Sequence, residues 1–82
     1  MDQTKFGSFI AECRKENKLT QEQLAEKLGV SSKSISRWEN GKTMPDYSVL
    51  PDLCSNLNIS INELFSCKKI PNETFKTEAD KN

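Results

Sequence analysis

Histidine is absent from the 82-residue sequence, and tryptophan and tyrosine occur once each. Without the side chain that most often serves as general base or metal ligand, an active site would have to be assembled from carboxylates or thiols. The three cysteines, Cys13, Cys54 and Cys67, are odd in number and share no CxxC or other metal-ligand spacing, which excludes a disulfide scaffold and a zinc fold. Only three glycines are present, none in a phosphate-cradling loop, and no paired-carboxylate motif occurs. Enzymatic catalysis is therefore excluded, and neither a cofactor nor a metal is implied. No stretch approaches the roughly 18 consecutive apolar residues needed to cross a bilayer. The polar start MDQTK lacks the apolar core of a signal peptide, so no membrane association is expected and the cytoplasm is the expected compartment. An excess of one charge is also missing, since twelve Lys and Arg balance twelve Asp and Glu.

What the chain does contain, 34% hydrophobic and 29% charged residues, suits one small all-α domain. A chain this short hides only around 60% of its unfolded surface, so all its apolar positions must serve one core. Phe6, Phe9, Ile10 and Cys13 fall at i, i+3, i+4 and i+7, the spacing of one helical stripe, and predict a helix from about Gln3 to Glu16. Thr20 with Gln23 three residues later makes a capping box ahead of Leu24 and Leu28, which starts a second helix. Gly29 ends it, and Ser31 caps a third helix that holds Ile35 and Trp38 inward and reaches roughly Glu39. Lys42 to Tyr47 reads as a loop around Pro45. Leu50, Leu53, Cys54 and Leu57 form a fourth stripe. Its Pro51 fits if Ser48 is the cap, or if Asp46 is the cap and the first turn is distorted. Ser60 and Glu63 form a second capping box before Leu64 and Phe65 in a short fifth helix. Residues 1–66 thus make the domain, and 67–82, with only Ile70 and Phe75 as large apolar residues, read as a flexible tail or linker.

The informative stretch is QEQLAEKLGVSSKSISRWEN, residues 21–40, two short helices joined by a tight turn. Ala25 marks their closest approach, Gly29 bends the chain, and Leu24, Leu28, Val30, Ile35 and Trp38 supply the inner side. This is the helix-turn-helix pattern. LTQEQLAEKLGVSSKSISRWENGKTMPD closely resembles the Cro/C1-type, or XRE, family of phage repressors and bacterial regulators, and the likeness spans residues 5–65. The resemblance implies a five-helix lambda-repressor-like domain whose third helix enters the major groove of double-stranded DNA. It also implies a homodimer on a palindromic operator, acting as a transcriptional repressor.

The face of the third helix opposite Ile35 and Trp38 carries Ser32, Lys33, Ser36 and Arg37. Arg37 can present its planar fork to guanine O6 and N7, and Lys33, one turn earlier, can reach a guanine edge or a phosphate. The resemblance assigns base reading to Ser32, Lys33 and Arg37, with Ser36 the shorter-reaching fourth. It assigns phosphate contacts to Gln21, at the start of the second helix, and to Ser34, Asn40 and Lys42. In an arbitrary helix an exposed Lys33/Arg37 pair is simply a solvated face, and Asn40 next to Gly41 is simply a terminator; the surrounding motif reverses the first of these. Trp38 belongs to the core by its i+3 relation to Ile35, as do Cys13 and Cys54 on inward stripes, while Cys67 is the cysteine expected outside.

Residues 1–66 carry eight basic and nine acidic side chains, a net of −1, but the distribution is uneven. Segment 31–43 has Lys33, Arg37 and Lys42 against Glu39, or +2, whereas 44–66 has Asp46, Asp52 and Glu63 and no basic residue. The dimer surface implied by the resemblance lies on the fourth and fifth helices, with Leu64 and Phe65 as candidate exposed apolar residues. A rival reading is a protein-interaction module, such as the antitoxin of a toxin-antitoxin pair, whose tail folds over a protein partner through Ile70 and Phe75.

Overall fold

Five α-helices and one 3-10 turn follow one another in the computed structural model, which describes residues 2–70: α1 (Gln3–Glu16), α2 (Gln21–Leu28), α3 (Ser32–Glu39), the turn Tyr47–Val49, α4 (Leu50–Leu57) and α5 (Ile61–Ser66). No strand occurs among the described residues, and none of their helices is long and apolar enough to cross a membrane. The all-α, five-helix expectation holds.

Four of the five helices, α1, α2, α3 and α5, begin at a polar side chain that takes up free amides. The Asp2 carboxylate accepts from the Thr4 amide at 2.8 Å, and the Ser31 hydroxyl from the Ser34 amide at 3.1 Å. Both capping boxes close as expected. Thr20 Oγ1 accepts from the Gln23 amide at 3.0 Å while Gln23 Oε1 accepts from the Thr20 amide at 2.9 Å. Ser60 and Glu63 exchange the same pair at 3.0 and 2.8 Å.

The entry to α4 follows the distorted alternative rather than a Ser48 cap. Asp46 Oδ2 accepts from both the Ser48 hydroxyl at 2.6 Å and the Ser48 amide at 3.2 Å, so Asp46 caps the turn, and the Ser48 hydroxyl caps no amide of α4. A carboxylate is the stronger acceptor, and these bonds hold the Asp46 carboxyl below its ordinary pKa. The chain turns once in 3-10 geometry before α4 begins at Leu50, leaving Pro51 in the first turn, where its missing amide has no intrahelical role.

One local design appears twice. Leu28-Gly29-Val30-Ser31 joins α2 to α3, and Leu57-Asn58-Ile59-Ser60 joins α4 to α5. Gly29 (φ 72°) and Asn58 (φ 58°) are both left-handed, and the Val30 and Ile59 amides both donate back to a carbonyl five residues earlier at 3.0 Å. A Cβ on Gly29 would meet nothing within 4 Å, so this glycine serves backbone conformation and not space.

The core is continuous. Phe6, Ile10 and Cys13 of α1, Leu24 of α2, Ile35 of α3, Leu53 and Leu57 of α4 and Leu64 of α5 are fully buried, with Phe9, Ala25, Trp38, Leu50, Cys54 and Ile59 around them. Each such aliphatic or aromatic side chain contributes about 1.5–3 kcal/mol of burial. Cys13 and Cys54 are core residues, and burial pushes the Cys13 thiol up to about 11. Leu64 is not the exposed residue it was expected to be. It occupies in α5 the place of Ile35 in α3, and only Phe65 beside it, 45% exposed, faces outward.

Two features hold α1 to its neighbours. Asn17, at the end of α1, donates from Nδ2 to the carbonyls of Cys13 (2.7 Å) and Leu57 (2.9 Å) and accepts from Asn58 Nδ2 at 2.7 Å. Gly7 lies directly on the last turn of α3, where a Cβ would stand 2.2 Å from the Trp38 carbonyl oxygen. Past Ser66, Lys69 pairs with Glu16 at 2.7 Å and the Ile70 amide donates to Glu63 Oε2 at 2.6 Å. Residues 71–82, including Phe75 of the expected tail, lie outside the described residues.

Candidate nucleic-acid interface

The outward face of α3 is set by what its inward face buries. Ile35 is 0% and Trp38 5% exposed, so the opposite side of an eight-residue helix must point away from the core. Ser32, Lys33 and Arg37 are exposed there, the two basic residues one turn apart on the same stripe. Ala25, 4% exposed, lets α2 lie close beneath α3, and the Gly29 turn fixes their crossing.

Of the other five residues singled out in the sequence, Ser34, Ser36 and Asn40 are partly engaged within the protein. Ser34 and Ser36 are half-buried; the Ser34 hydroxyl sits 3.1 Å from that of Ser31. Asn40 Nδ2 donates to the Ser36 carbonyl at 2.8 Å and to Ser36 Oγ at 3.3 Å, which occupies both hydrogens of its amide group. A phosphate contact from the Asn40 side chain thus requires it to swing away from α3, and Ser36 is tied to the helix end more than to the outer face. Lys42 is exposed and its amide donates to the Arg37 carbonyl at 2.9 Å, which holds the loop against the end of α3.

Gln21 stands half-buried at the first position of α2, next to an ion pair that the sequence reading did not single out. Arg14 of α1 and Glu39 of α3 meet in a two-point contact, Nε to Oε2 at 2.6 Å and Nη2 to Oε1 at 3.1 Å, with side-chain exposures of 11% and 6%. Arg14 Nη1 also donates to the Leu19 carbonyl at 2.8 Å, and Gln21 Nε2 donates to Glu39 Oε1 at 2.8 Å. The sequence held a signal for this pair. Arg14 and Glu39 lie four residues after the buried Ile10 and Ile35, at the edge of each inward stripe, where an isolated charge would be costly and two opposite ones compensate.

The assembled surface therefore presents an exposed basic stripe on α3, first-turn amides of α2 beside it, and a loop lysine on the far side. Backbone amides at a helix start and flexible cations suit phosphate oxygens, while a stripe of short hydroxyls and a planar guanidinium suits base edges.

Comparison with known proteins agrees with this chemistry. Residues 7–70 match the family described as a helix-turn-helix domain. The chain is 36% identical over 77 residues to the uncharacterized HTH-type transcriptional regulator YqaE of Bacillus subtilis, covering 93% of this chain and 65% of that protein. It is 38% identical over 65 residues to the HTH-type transcriptional activator BcrR of Enterococcus faecalis, covering 79% of this chain and 32% of that one. The chain thus spans less than two thirds of the length of either relative. Among solved structures, the DNA-binding domain of the P22 C2 repressor superposes with a TM-score of 0.71 at 34% identity, covering 79% of this chain and 86% of that one. The chain belongs to the Cro/C1-type helix-turn-helix family of DNA-binding transcriptional regulators.

Proposed function

We propose that this domain binds double-stranded DNA sequence-specifically by laying α3 in the major groove, as a homodimer on a palindromic operator, and that it represses transcription by occupying that site. The observation that carries the reading is the exposed Ser32, Lys33 and Arg37 stripe on a helix whose opposite side is locked in the core by Ile35 and Trp38. An eight-residue helix is about 12 Å long, a match for a major groove about 12 Å wide. In this role Arg37 takes a guanine edge with two parallel hydrogen bonds, Lys33 reaches a guanine or a phosphate, and Ser32 reads at the helix start. Ser36 adds at most a short contact. Gln21, Ser34, Asn40 and Lys42 hold the phosphates and set register.

One copy offers few base contacts, and a two-fold arrangement doubles them. The surface that supports self-association is the groove of about 510 Å³ lined by Phe6, Met44, Pro45, Asp46, Tyr47, Leu50 and Phe65. At its rim Tyr47 is 83% exposed, and Met44 and Phe65 are 42% and 45% exposed. Repression follows from occupancy alone and needs no further domain, and the P22 relative is itself a repressor by name.

Titration of the domain with mixed-sequence DNA fragments at several salt concentrations tests the reading. Binding should weaken with salt according to a small number of phosphate contacts. Gln21→Ala should weaken all sequences alike, whereas Arg37→Ala should lower affinity by about 1–3 kcal/mol and relax preference at one base position. If neither substitution alters DNA binding while removal of residues 67–82 abolishes capture of a protein partner, the interaction-module reading replaces this one.

A further inference from the structure

Glu39 lies on α3 two residues beyond Arg37, yet its carboxylate points back under the reading helix and touches both other helices of the site. It accepts three N–H bonds, two from Arg14 and one from Gln21. A carboxylate only accepts, so the nitrogen end of the Gln21 amide must face it, and the orientation of that otherwise two-fold side chain is settled. One hydrogen on Gln21 Nε2 is then committed to Glu39, and the other remains free to donate. The amides of Gln21 and Glu22, in the first turn of α2, also lack intrahelical acceptors.

We infer that Glu39 is a positioning residue for the DNA backbone: anchored by Arg14, it holds Gln21 so that the second Nε2 hydrogen and the α2 first-turn amides converge on one phosphate. The inference rests on the DNA-binding reading and deepens it. Because Glu39 belongs to the reading helix, the same bond makes phosphate register and base register mechanically one quantity. The negative charge of Glu39 does not repel the phosphate, since Arg14 neutralises it across a two-point contact and both side chains are almost wholly buried. A free glutamine at a helix start samples several rotamers and must be ordered on binding; a glutamine already held there avoids that entropic cost.

Removing Glu39 alone leaves Arg14 buried without a partner and endangers the fold, so the test replaces the pair by Arg14→Met with Glu39→Met, a change of a kind that buried ion pairs often tolerate. Affinity for a mixed-sequence duplex at low salt is measured for this background and for wild type, each with and without Gln21→Ala, after circular dichroism has verified folding. In wild type Gln21→Ala should weaken binding about tenfold, as loss of a hydrogen bond to a charged group does. In the paired-methionine background it should change binding less than about twofold, because the contact is already lost; a merely structural role for Glu39 predicts the same factor in both. Equal cost of Gln21→Ala in the two backgrounds overturns the positioning role alone. Failure of wild type to bind any duplex overturns the DNA reading and this inference with it.

A second readout does not depend on the variants. In ¹⁵N spectra of the wild-type protein the two Gln21 side-chain amide protons should differ strongly, one displaced by the carboxylate, and DNA should shift chiefly the other. Equivalent movement of both protons, or movement of neither, contradicts the inference.

Discussion

The pairs α2–α3 and α4–α5 are built alike and present different outer faces. Each joins its helices through Leu, a left-handed residue, a β-branched residue and a serine cap, and each buries one aliphatic side chain of its second helix, Ile35 or Leu64. Counting from the serine caps, Ser32, Lys33, Ser36 and Arg37 in the first pair stand where Ile61, Asn62, Phe65 and Ser66 stand in the second. The inner faces are interchangeable in kind; the outer ones are a basic, hydroxyl-bearing stripe and an uncharged one that carries the apolar Ile61 and Phe65. Fold is written in the shared positions and function in the unshared ones. In the proposed function the stripe on α3 meets DNA and the one on α5, which reaches the groove beside Tyr47 through Phe65, meets a second copy of the protein.

The strongest way to break this comparison is through the shared core. Leu64→Ala should destabilise the domain by about 2–5 kcal/mol, and Ile35→Ala by a similar amount, read from denaturant unfolding. A cost near zero at Leu64 would mean that α5 is not part of the same core. Next come the outer faces, which should respond separately. Arg37→Ala should leave stability within about 0.5 kcal/mol of wild type while relaxing base preference. Phe65→Ser should weaken self-association in sedimentation by about 2 kcal/mol, as loss of an aromatic anchor does, without altering which bases are preferred. If Phe65→Ser changes base preference as Arg37→Ala does, the division of labour is wrong.

The two turns give a smaller effect. Gly29→Ala should cost about 1–2 kcal/mol through the left-handed backbone alone, and Gly29→Asn, which copies the other turn, should recover most of it. Smallest is the acid response of α5. Backbone donation from Ile70 and Ser60 holds the Glu63 carboxyl below its ordinary value of 4.5. A depressed folded-state pKa contributes stability that is present above the unfolded value and lost as pH falls through the folded one. Unfolding followed from neutral to acid pH should show this loss beginning near pH 4.5, and Glu63→Gln should diminish it.

Much of this was legible in the sequence because local signals agreed with global ones. Helical stripes, two capping boxes, Gly29 and Ser31 placed α1, α2, α3 and α5, and the core residues Ile35, Trp38, Cys13 and Cys54 followed from periodicity. The start of α4 was ambiguous because Ser48 and Asp46 are both acceptable caps, and only their mutual hydrogen bond decides between them. Leu64 and Phe65 could not be told apart because a six-residue helix offers too few turns to define a stripe. The Arg14, Glu39 and Gln21 cluster joins residues 18 and 25 positions apart, so the stripe edges mark Arg14 and Glu39 singly, but no local pattern says that the two meet or that Gln21 joins them. Gly7 gave no signal either, since a glycine within a helical stripe looks like a weak position until α3 is found lying against it.

The central claim is that α3 reads base edges from the major groove, and methylation interference on a duplex selected from a random pool tests it most directly. Methyl groups on guanine N7 project into the major groove and those on adenine N3 into the minor groove. Binding should be blocked by N7 methylation at the guanine that Arg37 contacts, and Arg37→Ala should become indifferent to that methyl group. Interference confined to adenine N3, or N7 interference unchanged by Arg37→Ala, would contradict the assignment.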